Sequence, residues 1–202
     1  EKYNQKYDAG VHKLELDVLP EPFIGNIDAP VYLLNLNPGY DESDIYWHAH
    51  EKFRASILSN LLHEKLSYPF YFLNPEFNES SGSDWWTKRL RILTSDVGLS
   101  TVANKIFCVE FFPYHSIKYK EMPKSITKEL LITQEYSIKL VRDAITMGKT
   151  IIIMRSKSKW LQYVPELKIH NRVFELKNYQ RTYVTPGNLA EYDIIVDLLK
   201  ND

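Results

Sequence analysis

Apolar residues run without interruption at three places, Val31-Tyr32-Leu33-Leu34, Ile106-Phe107-Cys108-Val109 and Ile151-Ile152-Ile153-Met154. Each run stops at a polar turn: Asn35-Leu36-Asn37-Pro38-Gly39, Pro113-Tyr114-His115-Ser116 and Arg155-Ser156-Lys157. A continuous apolar run, unlike an alternating one, predicts a strand covered on both faces, as in the middle of a parallel sheet. Between the runs, apolar residues recur at three- and four-residue spacing, which predicts helices. The first holds Phe53, Ile57, Leu58, Leu61 and Leu62. The second holds Trp85, Trp86, Leu90, Ile92 and Leu93, with Asp84 as its expected N-cap and Gly98 as its stop. The third carries Ile126, Leu130, Leu131, Ile138, Leu140, Val141, Ala144 and Ile145, and Gly148 follows its end. A short strand over 172–176 and a closing helix with Leu189, Ile194, Ile195, Leu198 and Leu199 complete the pattern. Asn188 and Glu191 have the spacing of a capping box for that helix.

Strands alternating with helices imply crossover connections and a parallel sheet. The expected fold is α/β, a three-layer α/β/α arrangement with a central, mainly parallel four-stranded sheet. One domain over 1–202 fits the length, with 1–19 as a polar N-terminal arm. Pro20-Glu21-Pro22 imposes an extended path from the arm into the first strand.

Composition adds little until charge is divided along the chain. With 44% hydrophobic and 25% charged residues, the sequence reads as an ordinary globular protein. No apolar run is long enough to cross a bilayer and the first residues hold no signal-peptide core, so a cytoplasmic protein with no membrane partner is expected. The net charge of −1 hides an asymmetry. Between Lys105 and Arg181 stand 15 Lys or Arg against 7 Asp or Glu, a surplus that permits a basic face and an anionic partner. Scattered solvated charges explain the same count.

The candidate chemistry sits at the strand ends, where open α/β sheets hold their ligands. Asn37 is the first candidate, although Asn37-Pro38-Gly39 is also an ordinary tight turn. Glu110 is the second. A carboxylate ending a buried strand has to be paired, neutralised or turned toward a cavity. Cys108, the single cysteine, reads as a small buried hydrophobe. His48 and His50 fall on different helix faces, which argues against a shared metal. No phosphate-loop glycine motif, paired cysteine or His-Glu-x-x-His pattern occurs, so neither a metal nor a cofactor is expected.

Pro22-Phe23-x-Gly25, Ala29 and the strand ending Leu36-Asn37-Pro38-Gly39 resemble the first motif of the uracil-DNA glycosylase superfamily. The likeness is greatest to the mismatch-specific and single-strand-selective branches, which carry Asn-Pro-Gly there. The segments 106–113, 150–160 and 181–199 follow in the family's order, so the resemblance covers roughly 20–199. The chain departs from the family at two motifs. Thr185-Pro186-Gly187-Asn188 stands where His-Pro or Asn-Pro is usual, and Glu110 stands where the classical enzymes have an Asn that reads uracil.

The resemblance implies a DNA glycosylase that flips a damaged or mispaired base and hydrolyses its N-glycosidic bond. It implies Asn37 as the residue that places water and His115 as the replacement donor to the departing base, although a histidine in that turn also serves as a structural cap. Pro38, Gly39, Tyr40, Glu110, Thr185 and Asn188 would line the base site. Phe111, Phe112 or Trp47 would stack on the base. Arg155, Ser156, Lys157, Lys159 and Arg181 would hold the DNA phosphates. The Trp85-Trp86 pair reads as core packing. A monomer is expected. The competing reading is a non-catalytic protein on the same fold that binds nucleic acid or a nucleotide. A serine hydrolase is disfavoured, because no nucleophile elbow is present.

Overall fold

The three continuous apolar runs become the three inner strands of one sheet, as their double-sided burial requires. The structure is a computed structural model that describes residues 2–7, 10–127 and 129–201. Positions 1, 8 and 9 of the expected arm, position 128 and the final residue of the expected domain lie outside the described residues. The elements in order are α1 (Asn4–Tyr7), β1 (Phe23–Gly25), β2 (Val31–Asn35), α2 (Ser43–Ala49), α3 (Glu51–Leu61), α4 (Ser81–Val97), α5 (Leu99–Lys105), β3 (Ile106–Glu110), α6 (Ile132–Thr146), β4 (Thr150–Ile153), α7 (Lys157–Tyr163), β5 (Val173–Glu175) and α8 (Tyr192–Asn201). The sheet runs β1-β3-β2-β4-β5, with β1 antiparallel to β3 and every other pairing parallel.

Alternation along the strands divides the core in two. Leu33, Cys108 and Ile152 face one side, where Leu90, Leu93, Val102 and Ile195 of α4, α5 and α8 cover them. Tyr32, Leu34, Phe107, Val109 and Ile153 face the other, against Val141 and Ala144 of α6 and Trp160 of α7. The strand residues Val31 to Leu34 and Ile106 to Val109 are completely buried. Each aliphatic or aromatic side chain removed from water contributes about 1.5–3 kcal/mol, so the central strands hold both layers to the sheet.

The α/β class and the parallel centre agree with the hydrophobic pattern, but the sheet has five strands, not four. The missed strand, β1, is three residues long and lies in the segment read as an extended lead-in. It also sets the sheet's one antiparallel pairing. The helix expected from Ile126 begins only at Ile132, because the Gln134 side chain accepts the Leu131 N–H and caps a later start. Ser80, not Asp84, caps α4 by accepting the Ser83 N–H. Asn188 does not cap α8. It staples its own loop, donating to the Arg181 and Tyr183 carbonyls and accepting the Asn178 N–H. The segment 10–19 packs on the body through Leu14 and Val18, and Glu15 bridges His115.

Gly25 is required where β1 meets β3. Its φ is +118°, and a Cβ there would fall 2.4 Å from the Ile106 carbonyl oxygen. Gly25→Ala is expected to lower stability by about 3 kcal/mol, from strained backbone and a displaced strand. The shift in the urea midpoint at unchanged m-value measures it.

Candidate functional site

Parallel strands end together, so the chain leaves β2, β3 and β4 on the same side of the sheet. A cavity of about 660 Å³ opens there. Its position outside the carboxyl ends, where the connections from the adjacent strands β2 and β4 run to opposite sides of the sheet, is the usual ligand position in open α/β sheets. Phe72 and Trp85 supply apolar wall, and the first turn of α4 supplies Ser81 and Gly82. Asp44 ties the loop to that turn, accepting the Ser81 hydroxyl and the Asp41 N–H at 2.8 Å. Gly82 lies so close to Phe72 that a Cβ would meet its ring at 2.2 Å.

The floor is a pair of polar side chains on neighbouring strands. Asn35 and Glu110 are register partners in β2 and β3, and they continue the face that holds Leu33 and Cys108. Asn35 Nδ2 donates to Glu110 Oε1 at 2.9 Å, and the Trp160 indole N–H donates to the Asn35 carbonyl at 2.8 Å. Asn35 is 4% exposed and Glu110 2%. Asn35 Oδ1, Glu110 Oε2 and Arg155 Nε are buried and have no partner among the described residues. Burial pushes the Glu110 carboxyl up to about 8, against the opposing pull of the Asn35 hydrogen bond and the Arg155 charge. At neutral pH the group is therefore mostly protonated. Because Oε1 accepts from Asn35, the proton sits on Oε2. An acceptor and a donor thus lie side by side on the cavity floor. Each such atom left dry costs about 1–3 kcal/mol, so the floor calls for a polar guest.

The loop after β2 forms one side. Asn37 is half-buried and lines the cavity; its Nδ2 donates to the Pro38 carbonyl and to Ser116 Oγ at 3.2 Å. The amide oxygen remains to accept. The backbone N–H groups of Gly39 and Tyr40 donate to no group among the described residues. His115 holds this loop in place. Its Nδ1 lies 2.7 Å from the Gly39 carbonyl and its Nε2 3.1 Å from the Leu19 carbonyl. The ring thus spans two carbonyls and ties the loop to the segment that precedes β1.

Glu21 is the adjacent countercharge. Its carboxylate oxygens stand 3.9 Å from His115 Nε2 and 3.9 Å from His48 Nε2, and Tyr71 donates its hydroxyl to it. Burial raises the Glu21 carboxyl to about 7, and the His115 charge opposes that rise. Burial, followed by the His115 and Arg54 charges, takes His48 down to about 3. Among the described residues Glu21, His48 and His115 form the one group with metal-ligand chemistry, their nearest atoms lying within 4.8 Å of one another. Their hydrogen bonds do not fit a cation. His48 Nδ1 accepts the Leu19 N–H, so its proton sits on the Nε2 that faces Glu21. His115 has both nitrogens engaged. The group is a proton-bearing clamp behind the loop.

The structure gathers only some of the residues singled out in the sequence. Asn37, Pro38, Gly39, Tyr40, Glu110, His115 and Arg155 all border the cavity. Phe111 and Phe112 do not; both are buried on the opposite face, against Trp160 and Tyr119 respectively. Trp47 packs on Phe53 and Phe77. Thr185 belongs to a separate surface depression and Asn188 to its loop staple. Lys157 pairs with Glu175 at 2.6 Å and Lys159 with Glu121 at 2.9 Å, while Ser156 is a left-handed turn residue before α7. Arg181 is exposed, away from the cavity.

Sequence reasoning missed Asn35, Glu21, His48 and Trp85. Asn35 was legible as the one polar residue inside a strand-end run. Glu21 was hidden by its two prolines. Trp86 is core, as expected, but Trp85 is a cavity wall stacked with cations, its ring 4.1 Å from the Arg89 guanidinium and 5.6 Å from that of Arg155.

No family model, no curated protein and no solved structure matches the chain. Among the described residues, no helix is long and apolar enough to cross a membrane.

The raised Glu110 carboxyl fixes the sign of a pH effect. The folded protein holds this proton up to about pH 8, whereas the ordinary carboxyl releases it near 4.5. Stability is therefore full below about pH 4.5 and lost as pH rises to about 8. Glu21 contributes the same sign up to about pH 7. Glu110→Gln mimics the protonated form and is expected to flatten the upper part of the fall, melting above wild type on the alkaline side. Melting curves by circular dichroism across that range check it.

Proposed function

We propose that the cavity takes a heterocyclic base flipped out of a DNA strand and that the protein hydrolyses its N-glycosidic bond. The observation that carries this reading is the unpartnered pair on the floor, Asn35 Oδ1 beside Glu110 Oε2. An acceptor next to a donor, below aromatic walls at Phe72 and Trp85, is complementary to the edge of a base that stacks as it binds. The expected Asn-Pro-Gly loop borders the same cavity.

The chemistry assigned to each residue follows from its remaining hydrogen-bonding capacity. Asn37 has its amide N–H groups engaged, so its oxygen accepts from a water and aims it at the anomeric carbon. The water oxygen bonds to that carbon and the glycosidic C–N bond breaks, its electron pair going to the base nitrogen. One water proton passes to solvent. The departing base meets the Glu110 Oε2–H and the unengaged N–H groups of Gly39 and Tyr40. His115 holds the loop instead of donating to the base, since both its nitrogens are occupied. That same occupation favours one alternative, a base-binding protein with no catalytic step, because the site then lacks a second acid.

Labelled oligonucleotides carrying uracil, hypoxanthine, xanthine or a mismatched thymine, followed by alkaline treatment and gel analysis, separate the two. One base is expected to be released, with Asn37→Ala slowing it by about 10²-fold through loss of water placement. The rate is expected to fall above about pH 8 in wild type, where Glu110 ionises, and to stay level in Glu110→Gln. Base release that is unchanged in Asn37→Ala removes the catalytic assignment. Binding without release of any base selects the non-catalytic reading.

A further inference from the structure

Beside the base cavity the surface carries a cluster of cations in which, among the described residues, only Lys88 has an ion-pair partner, the exposed Asp84 at 2.6 Å. Arg89 leaves α4 between two aromatic rings, 4.1 Å from Trp85 and 5.4 Å from Tyr183. Arg155 approaches the same Trp85 ring. Two guanidinium groups thus share one indole. Burial, with Arg155 as a further cause, pulls the Arg89 pKa below its ordinary value. Neither arginine, nor Arg91 one residue pair further along the helix, forms an ion pair among the described residues. The Nε atoms of Arg89 and Arg155 are also buried without partners. Arg89 Nη1 donates to the Trp85 carbonyl at 3.3 Å, and an anion at this ring would meet the remaining donors of both guanidinium groups.

The surface continues from there. Lys88, Arg91, Tyr183 and Thr185 line a second depression, of about 490 Å³. Tyr183 touches Arg89, Arg89 touches Trp85, and Trp85 walls the base cavity. Lys88 and Arg91 are exposed, and Lys88 has only the exposed Asp84 as partner. Cations alternate here with aromatic faces, Trp85 and then Tyr183. That alternation suits a flexible strand, whose phosphates meet the cations while its unpaired bases stack. A duplex offers no base faces to these rings.

We infer that the strip from Trp85 and Arg89 to Lys88, Arg91 and Tyr183 is the path of a single nucleic-acid strand leaving the base cavity, held through its phosphodiester groups. The path rests on the base-cavity reading for what it leads into, but its own evidence is separate. It is a phosphate contact distinct from the Lys157, Lys159 and Arg181 set, whose first two members pair with Glu175 and Glu121 as Lys88 pairs with Asp84.

Fluorescence anisotropy with labelled single strands of DNA and of RNA, over a salt series, tests the path. The double variant Lys88→Glu/Arg91→Glu touches no residue of the base cavity. It is expected to bind at least about tenfold more weakly, with the salt slope reduced by about 0.7 for each lost phosphate contact. Lys168→Glu, which changes charge on the far layer of the sheet, is expected to bind as wild type. Loss with either DNA or RNA supports the path, and the two arms distinguish which sugar it accepts. Should the double variant melt early, Lys88→Gln/Arg91→Gln takes its place with the same expectation. Equal binding by wild type and the double variant, or equal weakening by Lys168→Glu, overturns it. So does tighter binding of a duplex than of either strand, or orthophosphate binding at the strip with no strand bound at all. If no base is released yet charge reversal still weakens strand binding, base hydrolysis fails and the path stands. If base release is intact and strand binding ignores the charge reversal, the path fails alone.

Discussion

Two fully buried strands that end side by side impose a problem on this fold, and the Asn35–Glu110 hydrogen bond is its solution. Register places both residues at the same height, on the face that the helices α4, α5 and α8 cover. Beyond Leu33 and Cys108 the next residues of β2 and β3 on this face, Asn35 and Glu110, form the floor of a cavity that the first turn of α4 borders. Apolar side chains there would close the gap. A polar pair keeps it open, and each partner satisfies only half of the other. The cavity, the protonated state of Glu110 and the position of Arg155 all follow from that half-satisfaction.

The loop around the cavity depends on a second layer of buried polar groups. The His115 ring contacts two carbonyls from segments far apart in sequence, at Leu19 and Gly39, and a Glu21 carboxyl oxygen stands 3.9 Å from its Nε2. The segment 10–19 is thereby drawn against the body, with its Glu15 bridging the His115 backbone. A loop that carries Pro38 and Gly39 would otherwise have few contacts of its own. Rigid placement of Asn37 comes from this clamp and not from the turn sequence.

The elements that the hydrophobic pattern makes plain are those whose burial is continuous or strictly periodic. β2, β3 and β4 were legible for that reason, as were the stops at Gly98 and Gly148. β1 was not, because three residues carry no period and its pairing with β3 is decided by space beside a neighbour. The start of α6 was misplaced because Ile126, Leu130 and Leu131 pack on the core from irregular backbone. Phe111 and Phe112 show the limit for site residues: they follow the right strand but point into the other layer. Asn37 and Glu110 were found because strand ends attract chemistry. Glu21 and His48 were not, since their importance comes from His115, a partner remote in the chain.

The edges of the sheet carry a consequence of their own. β1 and β5 are each three residues long, and they flank strands of four or five. Glu175 at the end of β5 is tied to Lys157, and Gly25 at the end of β1 turns the chain away. Borders this short offer little unpaired backbone to a further strand. Such edges blunt the pairing of one sheet with another.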